Sequence, residues 1–338
     1  LQSLLKESPG NEDIAFKLAS NLLSLGRVSE SLPLFEMTAF PDDAPPQRKL
    51  NFGHALKAAG SYDEAADQYY QLAQHPDHKV SASAYWSLAN LKRYKFSDKD
   101  KSDIKARLRD SEVGQGYVGL YRLALADAFD QIGQYDKAFA ELELGNNSIG
   151  EIRPFRGDLY HEFINELVSD FREPLESCVG HERFPIFVVG LPRSGSTLVE
   201  QILSSHSRVN STDELLFISD IAKDLQQKGN YADTLSQLTR QEAHKLGATY
   251  LKRVAGYTRN LEPYFVDKTP ENFVHIGLIK TILPKAKIID VYRDPLDNAI
   301  SLYKQFFAQG REYSYSINAI IFYWQGYLTL MKHWQSLY

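Results

Sequence analysis

The chain has 338 residues, 43% of them hydrophobic, a formal net charge of −5 and one cysteine. That length and apolar content support two ordinary globular cores and exclude a disordered chain; the lone Cys178 excludes an intrachain disulfide framework and a cysteine-rich metal site. Charge divides unevenly, net −8 over residues 1–183 and net +3 over 184–338, which argues against nucleic acid as a partner and leaves the second half able to take a small anion.

No signal-like segment opens the chain at Leu1, and with a reduced Cys178 the expected compartment is cytoplasmic. The first elements repeat. Leu25-Gly-Arg-Val-Ser-Glu-Ser31 returns as Ala59-Gly-Ser-Tyr-Asp-Glu-Ala65, placing Gly26 and Gly60 34 residues apart, and again as Ile132-Gly-Gln-Tyr-Asp-Lys-Ala138, 73 residues further on. The first spacing is the tetratricopeptide period, the second is two periods plus a short insertion, and the unit around Tyr85 is degenerate. The resemblance implies antiparallel helix pairs with small Ala19, Gly53 and Ala126 at the close approaches and Phe35 and Tyr69 filling the next groove. Such an array implies a surface for recognising a protein partner or a substrate, with no catalytic constellation of its own. His54, His75 and His78 are expected as solvated side chains, not a metal site. Pro9 falls where a preceding unit would end, so the chain is expected to open inside a repeat. The repeat array is assigned to residues 1–145. A helical junction follows at 146–183, with one helix at Asp158–Phe171 between loops containing Pro154 and Pro174.

From Phe184 the pattern changes to strands that run into turns and then helices. Phe184-Pro-Ile-Phe-Val-Val-Gly190 leads into Leu-Pro-Arg-Ser-Gly195 and a helix opening on Ser196 and Thr197. Inward-pointing amides, the positive end of a helix and glycines that admit a close approach make such a turn an anion cradle. Gly190 and Gly195 have the spacing of a nucleotide-triphosphatase loop, but Ser196 stands where its lysine belongs. Tyr264-Phe-Val266 runs into Asp267-Lys268-Thr-Pro, and Lys287-Ile-Ile-Asp-Val291 into Tyr-Arg293-Asp-Pro, each proline suited to a first helical position. A parallel sheet would bring Arg193, Lys268 and Arg293 to one edge, where an anion would offset their repulsion. Ser301 follows Arg293 by eight residues, so guanidinium and hydroxyl can share a phosphate. The uncharged run Tyr313–Met331 has Ile317, Ile320, Ile321, Trp324, Tyr327, Leu328 and Met331 at helical spacing and reads as a core helix, not a membrane span.

Pro192-Arg-Ser-Gly-Ser-Thr197 resembles the 5′-phosphosulfate loop of sulfotransferases, and Val291–Ser301 resembles their 3′-phosphate motif. Covering residues 184–338, the resemblance implies an α/β, P-loop-like sulfotransferase domain with a parallel sheet, C-terminally incomplete because the family's later strand and basic loop are not reached. It implies 3′-phosphoadenosine 5′-phosphosulfate (PAPS) as sulfonate donor, with Arg193, Ser194, Gly195, Ser196 and Thr197 on the 5′-phosphosulfate, Arg293 and Ser301 on the 3′-phosphate, and no metal. Arg193 and Lys268 would supply charge to the departing phosphate. In the tyrosylprotein sulfotransferases, which this stretch resembles most, a glutamate stands 21 residues past the loop arginine, which implies Glu214 as general base. Asp213 and His206 are the other candidates, and Asp213 and Glu214 are also placed to begin a helix before Leu215–Ile218. That family's arginine two positions after the base is Leu216 here, which counts against an acidic peptide as acceptor. Tetratricopeptide repeats fused to a sulfotransferase domain resemble an architecture found mainly in bacteria. A kinase on the same fold, with Asp290 holding magnesium, and a repeat scaffold with a vestigial transferase domain are the competing readings.

Overall fold

The computed structural model describes residues 1–39, 44–258, 262–307 and 309–338, and the chain divides into two units, Leu1–Pro154 and Phe155–Tyr338. In the first unit the helices are α1 (Gln2–Glu7), α2 (Glu12–Ser24), α3 (Val28–Ala39), α4 (Pro46–Ala59), α5 (Tyr62–Ala73), α6 (His78–Asn90), α7 (Asp98–Arg107), α8 (Gln115–Asp130) and α9 (Tyr135–Ile152). From α2 to α6 each helix packs on the next, then α6 packs directly on α8 and α8 on α9. The insertion is α7, begun by a capping box in which Ser97 and Asp100 satisfy each other's backbone N–H.

The repeated glycines are turn residues. Gly26, Gly60 and Gly133 have φ of 69°, 87° and 74°, and a Cβ added at any of them would meet open space, so backbone conformation alone demands glycine. Gly60→Ala is therefore expected to destabilise the fold by about 1–2 kcal/mol, read as a lower urea midpoint with unchanged slope. At Gly53 the demand is spatial, since a Cβ would lie 2.5 Å from the Tyr69 ring. Ala19, Phe35 and Tyr69 are fully buried, as the packing logic of paired helices requires. The three histidines are not simply solvated. His54 Nδ1 lies 2.7 Å from the Tyr69 hydroxyl, His75 Nδ1 accepts from the Asp77 N–H, and His78 bonds Tyr121 and Asp110. The sequence boundary at residue 146 falls inside α9, which continues to Ile152 because Asn146 and Ile149 are buried on the helix's inner face.

The second unit contains α10 (Gly157–Asp170), β1 (Phe184–Gly190), α11 (Ser196–Ser204), β2 (Val209–Ser211), α12 (Phe217–Gln226), α13 (Tyr231–Ser236), α14 (Arg240–Val254), β3 (Tyr264–Asp267), α15 (Ile276–Ile282), β4 (Lys287–Val291), α16 (Pro295–Tyr303) and α17 (Ile317–Leu337). Short 3₁₀ turns occupy Pro270–His275 and Glu312–Tyr315. All pairings are parallel, in the order β2-β3-β1-β4, with Phe184 opposite Tyr264 and Gly190 opposite Val291. Phe187, Val188, Val189, Phe265 and Val266 are fully buried in the sheet. β3 and β4 flank β1 on opposite sides, so the order reverses at β1 and a crevice opens beyond its carboxyl end. Residues 313–316 are outside α17, which begins at Ile317 after the Ser316 cap; it buries Ile320, Tyr327, Leu330, Met331 and Trp334, whereas Ile321 is exposed. No helix among the described residues is long and apolar enough to cross a membrane.

Candidate active site

The turn after β1 is held open by two left-handed residues, Arg193 at φ 67° and Gly195 at φ 104°, immediately before α11 begins at Ser196. This is the backbone form that aims successive N–H groups into one concavity. After β4, Pro295 takes the first position of α16 and the Asp294 carboxylate accepts from the N–H groups of Leu296 and Asp297. The two turns meet. Arg293 Nη1 donates to the Arg193 carbonyl at 3.2 Å, Arg193 Nε donates to Ser301 Oγ at 3.1 Å, and Asn298 Nδ2 donates to the Pro192 carbonyl at 3.0 Å.

A cleft of about 390 Å³ opens over this junction. Arg193, Gly195, Ser196, Thr197, Arg293 and Glu214 all line it. Ser301 is reached through its bond to Arg193. Ser194 is not part of the cleft wall: its buried hydroxyl lines a separate space of about 10 Å³ with Asn298, and has no hydrogen-bond partner among the described residues. His206 is outside the lining too, its Nδ1 accepting from the Arg208 N–H in the turn before β2.

Glu214 lies on a loop tied to the end of β3. Thr212 N–H donates to the Val266 carbonyl, Lys268 N–H to the Asp213 carbonyl, and Leu215 N–H to Thr269 Oγ1. Neither Asp213 nor Glu214 caps α12, whose N-cap is Leu216 without a side-chain bond. Both instead accept from Lys268 Nζ, at 2.8 and 3.0 Å, with the buried Glu200 3.9 Å away. Lys268 therefore reaches the edge predicted for it but is buried there with its charge already met, and it does not line the cleft. Burial by itself would lower the ammonium pKa; bonds to Asp213 and the charge of Glu214 prevail and raise it. Glu200, on α11, is pushed up by burial although Ser211 Oγ and the Asp213 N–H donate to it.

Behind this loop, burial pushes Asp267 up to about 7, against the bonds from Tyr250 and Thr269 that favour its ionised form. The native state then holds a proton that the unfolded chain releases above its ordinary carboxylate range, so this group makes stability fall as pH rises from about 4 to 7. Wild type is expected to lose stability relative to Asp267→Asn across that window and to level off above it, measured by urea unfolding at a series of pH values.

Sequence reasoning missed Arg311. It lines the cleft beside Pro270 and Phe307, half-buried, with Nε and Nη2 of its guanidinium 2.7 and 2.5 Å from Glu271 Oε1. The one available signal was a Gly310-Arg311 turn after aromatic residues, and its partner is 40 positions away. Asp290, the carboxylate of the kinase reading, belongs to another depression with Lys280 and Trp334, and accepts from the Tyr327 hydroxyl. Among the described residues no group of three or more His, Cys, Asp or Glu is arranged to hold a metal ion.

Residues 185–338 match the model of the Sulfotransferase family. The second unit thus carries a sulfotransferase domain with a parallel sheet, preceded by a helical region, and the match supports sulfonate transfer in general. A protein of Aquifex aeolicus (strain VF5), described as uncharacterized, is 29% identical over 300 residues, which is 84% of this chain and 39% of that protein's length. The chain spans well under half of that relative. No solved structure matches significantly.

Proposed function

We propose that the sulfotransferase domain moves a sulfonate group from PAPS to an acceptor hydroxyl by in-line displacement, with Glu214 as general base. The observation that carries this reading is the single cleft lined by Arg193, Arg293 and Glu214, in which the two phosphate-recognition segments are hydrogen-bonded to each other. The residues fit such a donor: the cleft is lined by guanidinium groups and by a left-handed turn, with two hydroxyls at a helix start. Bound there, PAPS would supply a sulfonate already activated by its bond to a phosphate.

In this reading the amides of Arg193 and residues 195–197, with the Ser196 and Thr197 hydroxyls, hold the 5′ end, while Arg293 and Ser301 take the 3′-phosphate. Arg193 spans both through its bond to Ser301. Glu214 receives the acceptor's proton, and Lys268 fixes the Glu214 carboxylate, acting on the reaction through it. Ser194 supports the loop from behind through its backbone, its N–H donating to the Leu191 carbonyl. Positioning and fixed positive charge carry the catalysis, as in phosphoryl transfer, and no metal ion enters this proposal. A kinase is disfavoured by Ser196 in the lysine's place and by Asp290 lying outside the cleft.

We propose in addition that the helical unit is a tetratricopeptide array serving a protein partner or the acceptor, a reading supported by the three left-handed glycines at repeated turns. Incubation with radiolabelled PAPS and a panel of tyrosyl peptides, saccharides and small alcohols tests the activity. Label is expected in one acceptor class and absent with Glu214→Gln. Transfer that persists in the variant would remove Glu214 as base, and no transfer to any class would favour the scaffold reading.

A further inference from the structure

Lys268, the cation expected to face the reacting group, spends its charge on three carboxylates, which leaves the Glu214 end of the cleft in need of another. Arg193 and Arg293 are committed to the paired turns, the first to Ser301 and the second to the Arg193 carbonyl, with Asp297 3.7 Å from its guanidinium. Arg311 remains. It shares the cleft wall with Glu214 and Pro270, and the charge of Glu214 is among those that keep its guanidinium protonated against burial.

We propose that Arg311 is a further catalytic residue of this site, its guanidinium facing the sulfonate in transfer and taking up charge on the sulfonate oxygens. The inference rests on the sulfotransferase reading above. Glu271 engages Nε and Nη2, and the Phe307 ring lies 5.1 Å from the guanidinium carbon, so the group is fixed before any ligand arrives. Nη1 has no hydrogen-bond partner among the described residues and keeps two donors for a ligand. Such preorganised donors do most where charge gathers during reaction. As the acceptor oxygen forms its bond to sulfur, the sulfur–oxygen bond to the 5′-phosphate breaks and its electron pair leaves on the phosphate. The acceptor proton passes to Glu214. The three oxygens that stay on sulfur are the ones Arg311 meets, whereas the desulfonated product PAP lacks them.

That difference supplies the test, made in the full chain with Arg311→Gln, Arg311→Lys and Glu271→Gln. Arg311→Gln is expected to lower kcat by about 10²-fold or more. It should also cut the preference for PAPS over PAP, titrated without acceptor, by about tenfold while PAP affinity stays within about threefold of wild type, one charged bond being worth that much. Arg311→Lys should recover part of both losses, and Glu271→Gln, which keeps the cation, should lose much less than Arg311→Gln. Loss of PAP affinity in step with turnover, equal damage from Glu271→Gln, or unchanged turnover in Arg311→Gln would each overturn the proposal. Failure of wild type to bind PAP would instead remove the underlying reading, and this proposal with it.

Discussion

Glu214→Gln is expected to lower kcat by about 10²–10⁴-fold with PAP affinity nearly unchanged. The carboxylate lines the cleft, half-exposed, and its one hydrogen-bond donor among the described residues is Lys268, a buried ammonium that fixes its orientation without covering it. Glutamine keeps the size and an oxygen for Lys268 but cannot take a proton. Asp213 does not substitute readily, since it sits at a left-handed backbone position with its own bond to Lys268 and is not among the cleft's lining residues. Steady-state turnover beside calorimetric PAP binding separates the effects. A parallel fall in both would assign Glu214 to donor binding instead of proton transfer.

The second large effect is expected on binding. Arg193→Ala and Arg293→Ala should each weaken PAP by tenfold to a hundredfold, the equivalent of about 1.5–3 kcal/mol for a hydrogen bond to a charged group. The two should not add, because Arg293 also holds the Arg193 carbonyl, so that removing it loosens the turn on which Arg193 stands. Added salt should reduce wild-type affinity more than that of either variant, because fewer exposed charges remain to be screened. Titration calorimetry at two ionic strengths measures both quantities, and PAP affinities within twofold of wild type would remove these arginines from the donor site.

Much of the site was legible because its parts are local. A run of apolar residues, a small-residue turn and two hydroxyls announce β1 and α11 within fifteen residues, and Pro295 with Arg293 announces the other half. Their convergence follows from a parallel sheet whose order reverses at β1. What escaped is non-local. Lys268 reads as a free cation until folding brings Asp213 and Glu214, 55 and 54 positions away, onto its ammonium. Arg311 acquires meaning through Glu271 in the same way. The strand β2 has three residues and among the described residues pairs only with β3, too short a run to show periodicity, yet its continuation carries Glu214 to the cleft. In the helical unit the glycine turns were readable from their recurrence, whereas the end of α9 was not, because Asn146 is polar and its burial is set by neighbouring helices.

The paired turns after β1 and β4 are proposed to grip an adenosine phosphorylated at both its 3′ and 5′ positions. Titrating the chain with PAP and, separately, with ADP plus magnesium tests this proposal most directly. PAP is expected to bind tighter by tenfold or more, since in the proposed site Arg293 and Ser301 would meet a 3′-phosphate that ADP lacks, and about 1.4 kcal/mol corresponds to each factor of ten. Tighter binding of ADP with magnesium would contradict it.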